Sequence, residues 1–217
     1  MHPHAMITCD ATHTYRTPDG RTVPGVTRIL SDVLGNQWAG KATQYHLDRG
    51  NAAHALYAIL GQGEDLGLYD VDPALDGHVR QWREWSATVR PCIRAVEVPV
   101  YSVTHDYAGT LDAVGIIGGN LALTIWDYKA TATRRDVWQM ALYAIAYQEE
   151  TGLVVKQAIG VQITEDAWRM SEPVKGAEWE RAKRQALAVR TVWGMMEAEG
   201  TVTRDMPANP AEGVVAE

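Results

Sequence analysis

Two strand-like runs, Tyr107 to Ile117 and Thr124 to Lys129, flank Gly118-Gly119-Asn120, and each carries a carboxylate among apolar neighbours. The Gly-Gly-Asn segment has the chemistry of a hairpin turn. Folding the chain about Gly119 pairs positions whose numbers sum to about 238, which sets Asp112 almost opposite Asp127. Asp127 and Lys129 are two apart on a strand, so their side chains point to the same face. Asp112 lies in Ala108-Gly109-Thr110-Leu111-Asp112-Ala113-Val114, and Asp127 follows Leu123-Thr124-Ile125-Trp126. An uncompensated carboxylate in such surroundings is costly. Carboxylates converging from adjacent strands call for a cation, and hard oxygen ligands suit Mg²⁺ or Mn²⁺. The plainer alternative is a solvated strand face, since Asp-x-Lys arises by chance about once in a chain of this composition.

Four short motifs, in order, carry a resemblance to a known family. They are Arg49-Gly50-Asn51-Ala52-Ala53-His54, Gly109-Thr110-Leu111-Asp112, Asp127-Tyr128-Lys129, and Gln139 with Tyr143 one helical turn later. Together they resemble the PD-(D/E)XK nucleases, specifically the RecB-type exonuclease branch, over roughly Val23 to Ile163. That branch includes mitochondrial genome maintenance exonucleases and CRISPR adaptation exonucleases. The resemblance implies a restriction-endonuclease-like α/β core: a mixed, mainly four-stranded sheet flanked by helices, with added N-terminal helices. It implies that His54, Asp112, Asp127 and the backbone carbonyl of Tyr128 hold the metal, and that Lys129, Asp112 and Asp127 are catalytic. Gln139 and Tyr143 would shape the site and touch DNA. By itself, a histidine on a helix is more often a structural residue than a ligand. Gly50, one turn before His54, is expected to permit close approach of backbone and site.

Length and composition set the outer bounds. With 217 residues the chain can bury one substantial core, and a single domain over 1–200 with a disordered tail over 201–217 is expected. No run of eighteen apolar residues occurs, so no membrane partner is expected. The start, Met1-His2-Pro3-His4, has no secretory signal pattern, which favours a cytoplasmic location in a bacterial or phage-infected cell. Two cysteines, Cys9 and Cys92, cannot supply the four of the family's iron–sulfur members, so no iron–sulfur cluster is expected. A net charge of −7 argues against a generic nucleic-acid coat protein. It leaves a nuclease open, because bound metal neutralises acidic groups and local patches escape the sum.

Along the chain, His13 to Val23 reads as a hairpin turning at Asp19-Gly20, and Val26 to Leu34 as a short amphipathic helix. Further helices are expected over about Gly40 to Leu60, Pro73 to Val89, Asp136 to Thr151 and Lys175 to Glu199. Trp82 and Trp85 on the second of these are core residues, or less readily a base-stacking surface. Ile93 to Val103 alternates as a strand carrying Glu97, either a surface residue or an acid behind the metal ligands. Ala130 to Asp136 reads as a polar loop, in which Arg134 and Arg135 are candidate clamps on the phosphate backbone. Val154 to Thr164 reads as a last core strand, with Trp168 to Val174 as its partner.

The reading that results is a Mg²⁺- or Mn²⁺-dependent DNA exonuclease acting on linear single- or double-stranded DNA in recombination, replication or repair. A recombination or single-strand-binding protein would be its protein partner. The rivals are a catalytically silent DNA-end-binding subunit of the same fold, and an unrelated α/β protein in which His54 and Asp112 lie far apart.

Overall fold

The computed structural model describes residues 7–9, 14–35, 44–117, 121–128 and 133–204, with the backbone alone for 44–48. The turn at Gly118-Gly119-Asn120, Lys129 and the tail beyond Arg204 lie outside the described residues.

A mixed sheet of six strands forms the centre, wider than the four expected. Its members are β4 (Cys92–Ser102), β5 (Tyr107–Ile116), β6 (Leu123–Tyr128), β7 (Gln157–Ile163), β8 (Trp168–Met170) and β9 (Val174–Lys175). The order runs β4-β5-β6-β7-β8, and β9 pairs with β7 beside β8. The expected partner segment after β7 is thus two short strands, because the chain breaks between them at Ser171-Glu172-Pro173 and proline cannot donate to a ladder. A separate small antiparallel sheet joins β1 (Thr8–Cys9), β2 (Tyr15–Arg16) and β3 (Thr22–Val23).

Strands β5 and β6 are antiparallel, with Ala113 opposite Trp126 and Ile116 opposite Leu123. Their partners sum to 239, one away from the sequence estimate. Strands β6 and β7 are parallel, which requires a crossover, and α4 (Arg134–Thr151) supplies it. That helix starts two residues before the expected Asp136. Thr133 caps it, accepting from the Asp136 N–H while the Asp136 carboxylate accepts from the Thr133 N–H. The Thr-x-x-Asp pattern is a capping box, so Arg134 and Arg135 belong to the first helical turn rather than to a loop. Gly152, left-handed at φ 72°, closes the other end.

Two apolar layers cover the sheet. On one face α1 (Val26–Leu34), α4 and α5 (Gly176–Ala198) pack against Leu111, Val114, Ile125 and Ala158. On the other, α2 (Gln44–Gln62) and α3 (Asp76–Val89) pack against Trp126, Tyr128, Ile159 and Val161. The alternation of strand side chains explains the split: Ile125 faces α4 and α5, while Trp126 and Tyr128 face α2 and α3. Trp82 and Trp85 are buried in the second layer, which settles them as core. Two buried polar tips bond to backbone carbonyls across the fold, Tyr107 donating to Leu142 at 2.8 Å and Trp179 to Val155 at 3.0 Å.

Arg204 pairs with Asp106 and Glu197, so the described start of the C-terminal segment is tied to the β4–β5 turn and to α5. Arg21 pairs with the same Asp106 at 2.9 Å from the N-terminal sheet.

Glycine is required where α4 meets β5. A Cβ on Gly109 would stand 2.2 Å from Cε1 of the buried Tyr143 ring. Replacing Gly109 by alanine should therefore destabilise the fold by about 2 kcal/mol, the usual cost of overpacking. Urea denaturation of the variant beside wild type measures it, and an unchanged midpoint would contradict this packing.

Candidate metal and catalytic site

Strands β4, β5 and β6, from the β4 edge inward, deliver the site from their shared register. Val96 lies opposite Ala113 and Val98 opposite Leu111, so Glu97 on β4 occupies the place facing Asp112 on β5. One further step along β5–β6 sets Asp112 against Asp127. Three carboxylates thus stand side by side across β4, β5 and β6. Glu97 reaches its place with φ +47°, a left-handed conformation that residues other than glycine seldom adopt.

His54 enters from α2. Its Nδ1 is 3.4 Å from Asp112 Oδ2, with the histidine side chain 35% exposed and the aspartate 10%. One donor atom each from His54, Glu97 and Asp112 lie within 4.8 Å of one another. The His54 ring meets Tyr128 edge-on, with centroids 6.3 Å apart, and Tyr57 at the same distance. Those two tyrosines pack on each other at 4.7 Å, so the imidazole has an aromatic backing. The close approach of His54 to Asp112 removes the unrelated α/β reading, which required them to be far apart.

Gly50 does not act as expected: a Cβ there would meet nothing within 4 Å among the described residues, and the residue is exposed. The close approaches on this helix lie elsewhere, at Gly61, where a Cβ would come 2.8 Å from Val96.

Asp127 is 3% exposed and lies on the sheet face toward α4. Its charge acts on two neighbours. Burial first, and Asp127 second, push the Glu97 carboxyl up to about 7. Glu97 is exposed over much of its length, yet its carboxyl end sits among the other acids. Burial and the charges of Asp127 and Asp112 also raise the Tyr143 phenol, keeping it neutral. The Asp112 carboxylate accepts the Tyr128 N–H at 2.8 Å, fixing one oxygen against β6.

Gln139 and Tyr143 lie along α4, 9% and 4% exposed, with Gln139 Nε2 donating to the Tyr143 hydroxyl at 3.0 Å. Buried in this way they form a wall behind the acids. Tyr147, also buried, belongs to the packing stripe. Arg135 donates to the Gly35 carbonyl at 2.8 Å and to Ser31 Oγ at 2.5 Å, joining α4 to the end of α1. Arg134, beside it, is exposed.

Glu97 is the residue that the sequence undervalued. Alternation along β4 left open a surface position and a place behind the metal ligands, and the left-handed backbone at Glu97 leaves no trace in residue pattern. Cys9 and Cys92 are both exposed and form no disulfide.

The sequence model of the PD-(D/E)XK nuclease superfamily matches residues 15–213. No curated protein matches the chain. Among solved structures, it is similar to LHK-Exo, an alkaline exonuclease from Laribacter hongkongensis. A structure of that protein in complex with dAMP gives 14% identity and a TM-score of 0.35, over 82% of this chain and 93% of that one. A second LHK-Exo structure gives 12% and 0.33, over 81% and 92%. The protein SSO0001 gives 16% and 0.33, over 77% and 74%.

The raised Glu97 carboxyl has a consequence for stability. It binds a proton more tightly in the folded than in the unfolded chain, so its contribution is full below about pH 4.5 and is lost as pH rises through about 7. Urea unfolding in EDTA should show a decline in stability across that window, on the order of 1 kcal/mol after allowing for solvent screening at an exposed residue. Glu97→Gln should remove this component of the slope. A slope unchanged in the variant would place the effect elsewhere.

Proposed function

We propose that this chain, which belongs to the PD-(D/E)XK nuclease superfamily, is a metal-dependent deoxyribonuclease of the RecB-type branch, degrading linear DNA from its ends. The observation that carries the reading is the meeting of His54, Glu97 and Asp112 within 4.8 Å beside the buried Asp127. Carboxylates set this close repel each other, and their common remedy is a cation.

The donor set suits a hard divalent ion. Ligand atoms within 4.8 Å of one another leave room for a shared ion at bonds slightly above 2 Å, and carboxylate oxygens with an imidazole suit Mn²⁺ or Mg²⁺. His54, Asp112, Asp127 and the Tyr128 carbonyl would hold it, with Glu97 as a further oxygen ligand. When bound, such an ion acidifies a coordinated water and offsets charge on a scissile phosphate.

The chain's own residues supply the remainder. Asp112, pinned by the Tyr128 N–H, keeps one carboxylate oxygen in a fixed place. Lys129, two residues after Asp127, orients or deprotonates the attacking water and neutralises charge on phosphorus in this reading. Gln139 and the neutral Tyr143 close the site behind the acids and hold its shape. Arg134, exposed on the first turn of α4, would meet a DNA phosphate in this reading, while Arg135 secures that turn to α1. We assign the activity to DNA recombination, replication or repair in a bacterial or phage-infected cell, where a recombination or single-strand-binding protein would deliver ended DNA.

The test is digestion of end-labelled linear and circular DNA with Mg²⁺, Mn²⁺ or EDTA. Linear DNA should disappear only with metal, and Lys129→Ala or Asp112→Asn should slow its loss by about a thousandfold. Cleavage of circles would make the enzyme an endonuclease. Wild-type protein that binds DNA ends without cutting them, with either metal, would favour a silent end-binding subunit.

A further inference from the structure

Contacts from α2 and α3 converge on one small turn, the link between β7 and β8 around Glu165. The Glu165 carboxylate pairs with Arg49 of α2. Its backbone carbonyl accepts from Arg80 of α3 at 2.9 Å. Gly77, in the first turn of α3, lies directly on the same residue: a Cβ there would stand 2.8 Å from both Glu165 Cα and its carbonyl oxygen. Two residues earlier in the turn, the Ile163 carbonyl accepts from the Tyr57 hydroxyl of α2 at 3.3 Å. That hydroxyl also bonds His78 Nδ1 at 2.6 Å. A phenol has one proton, so with it on Ile163, His78 Nδ1 must carry its own and donate.

Arg49 and Tyr57 bracket His54 on α2, five residues before it and three after. Rotation or sliding of the helix would break one of these two anchors, and in this setting the imidazole stands 3.4 Å from Asp112. The contacts described for the turn run to α2 and α3.

We propose that the β7–β8 turn is a brace for the metal site, and that Glu165, gripping Arg49, is a positioning residue that holds His54 toward Asp112. The inference rests on the reading of His54 as a metal ligand. Both partners of the ion pair are partly exposed, at 32% and 49%. Exposed pairs contribute little to global stability. Loss of the brace is therefore a local event, loosening α2 and the metal site while the fold persists.

The experiment compares wild type with Glu165→Ala, Gly77→Ala and the exchanged pair Arg49→Glu/Glu165→Arg. Amide hydrogen exchange reads α2, and calorimetric titration with Mn²⁺ reads the site. Glu165→Ala should speed exchange over residues 50–57 about fivefold or more, and leave the sheet strands unchanged. It should weaken Mn²⁺ binding about tenfold, the size usual for groups that orient a ligand. The exchanged pair should recover most of both losses. Gly77→Ala drives a wedge against Glu165 while favouring the helix by propensity, so it should reproduce the phenotype without altering any charge. Unchanged α2 exchange in both single variants, or faster exchange with an unaltered Mn²⁺ affinity, would overturn the brace. So would a loss spread evenly over the whole fold. Wild-type protein that fails to bind Mn²⁺ would overturn the proposed function instead, and the exchange measurements would still decide whether Glu165 holds α2.

Discussion

The repulsion among Glu97, Asp112 and Asp127 is the constraint to which the surrounding structure answers. Two like charges about 4 Å apart cost about 4 kcal/mol at the effective dielectric of a protein surface, and here strand register leaves the three acids nowhere else to stand. The backbone enforces the meeting: β4 and β5 set Glu97 against Asp112, and β5 and β6 set Asp112 against Asp127. Glu97 adds a left-handed kink to the electrostatic cost. A raised Glu97 carboxyl is one relief that the chain itself supplies. A bound cation would relieve all three acids together.

The two apolar layers keep that arrangement in place from opposite sides. On one face α4 packs through Gly109 and Tyr143, close enough that no side chain fits between them, and brings Gln139 behind the acids. On the other, α2 carries His54 over an aromatic pair, Tyr57 and Tyr128, whose rings belong to the core. Tyr128 serves both sides: its ring packs into the second layer while its N–H holds Asp112. Among the described residues no helix is long and apolar enough to cross a membrane.

The sequence already conveyed the strands, most helices and the near-opposition of Asp112 and Asp127, because these depend on local periodicity and on a turn of few residues. The register differed by one, a difference that turn geometry alone does not resolve. What stayed hidden depends on contacts between distant parts of the chain. Glu97 meets Asp112 through the β4–β5 register, and the grip of Arg49 on Glu165 spans α2 to the β7–β8 turn. Sequence points to Gly50 for close approach, whereas Gly61, Gly77, Gly109 and Gly115 are pressed against neighbours. The Thr133 cap, in contrast, was visible as Thr-x-x-Asp and would have moved the start of α4 to Arg134.

The most direct measurement of the central claim is anomalous diffraction from crystals grown with Mn²⁺. A peak is expected between Asp112 and Asp127, with His54 Nε2 or Nδ1 and a Glu97 oxygen within about 2.4 Å of it. A peak elsewhere, or none at Mn²⁺ concentrations that saturate activity, would contradict the assignment of these residues to one metal site.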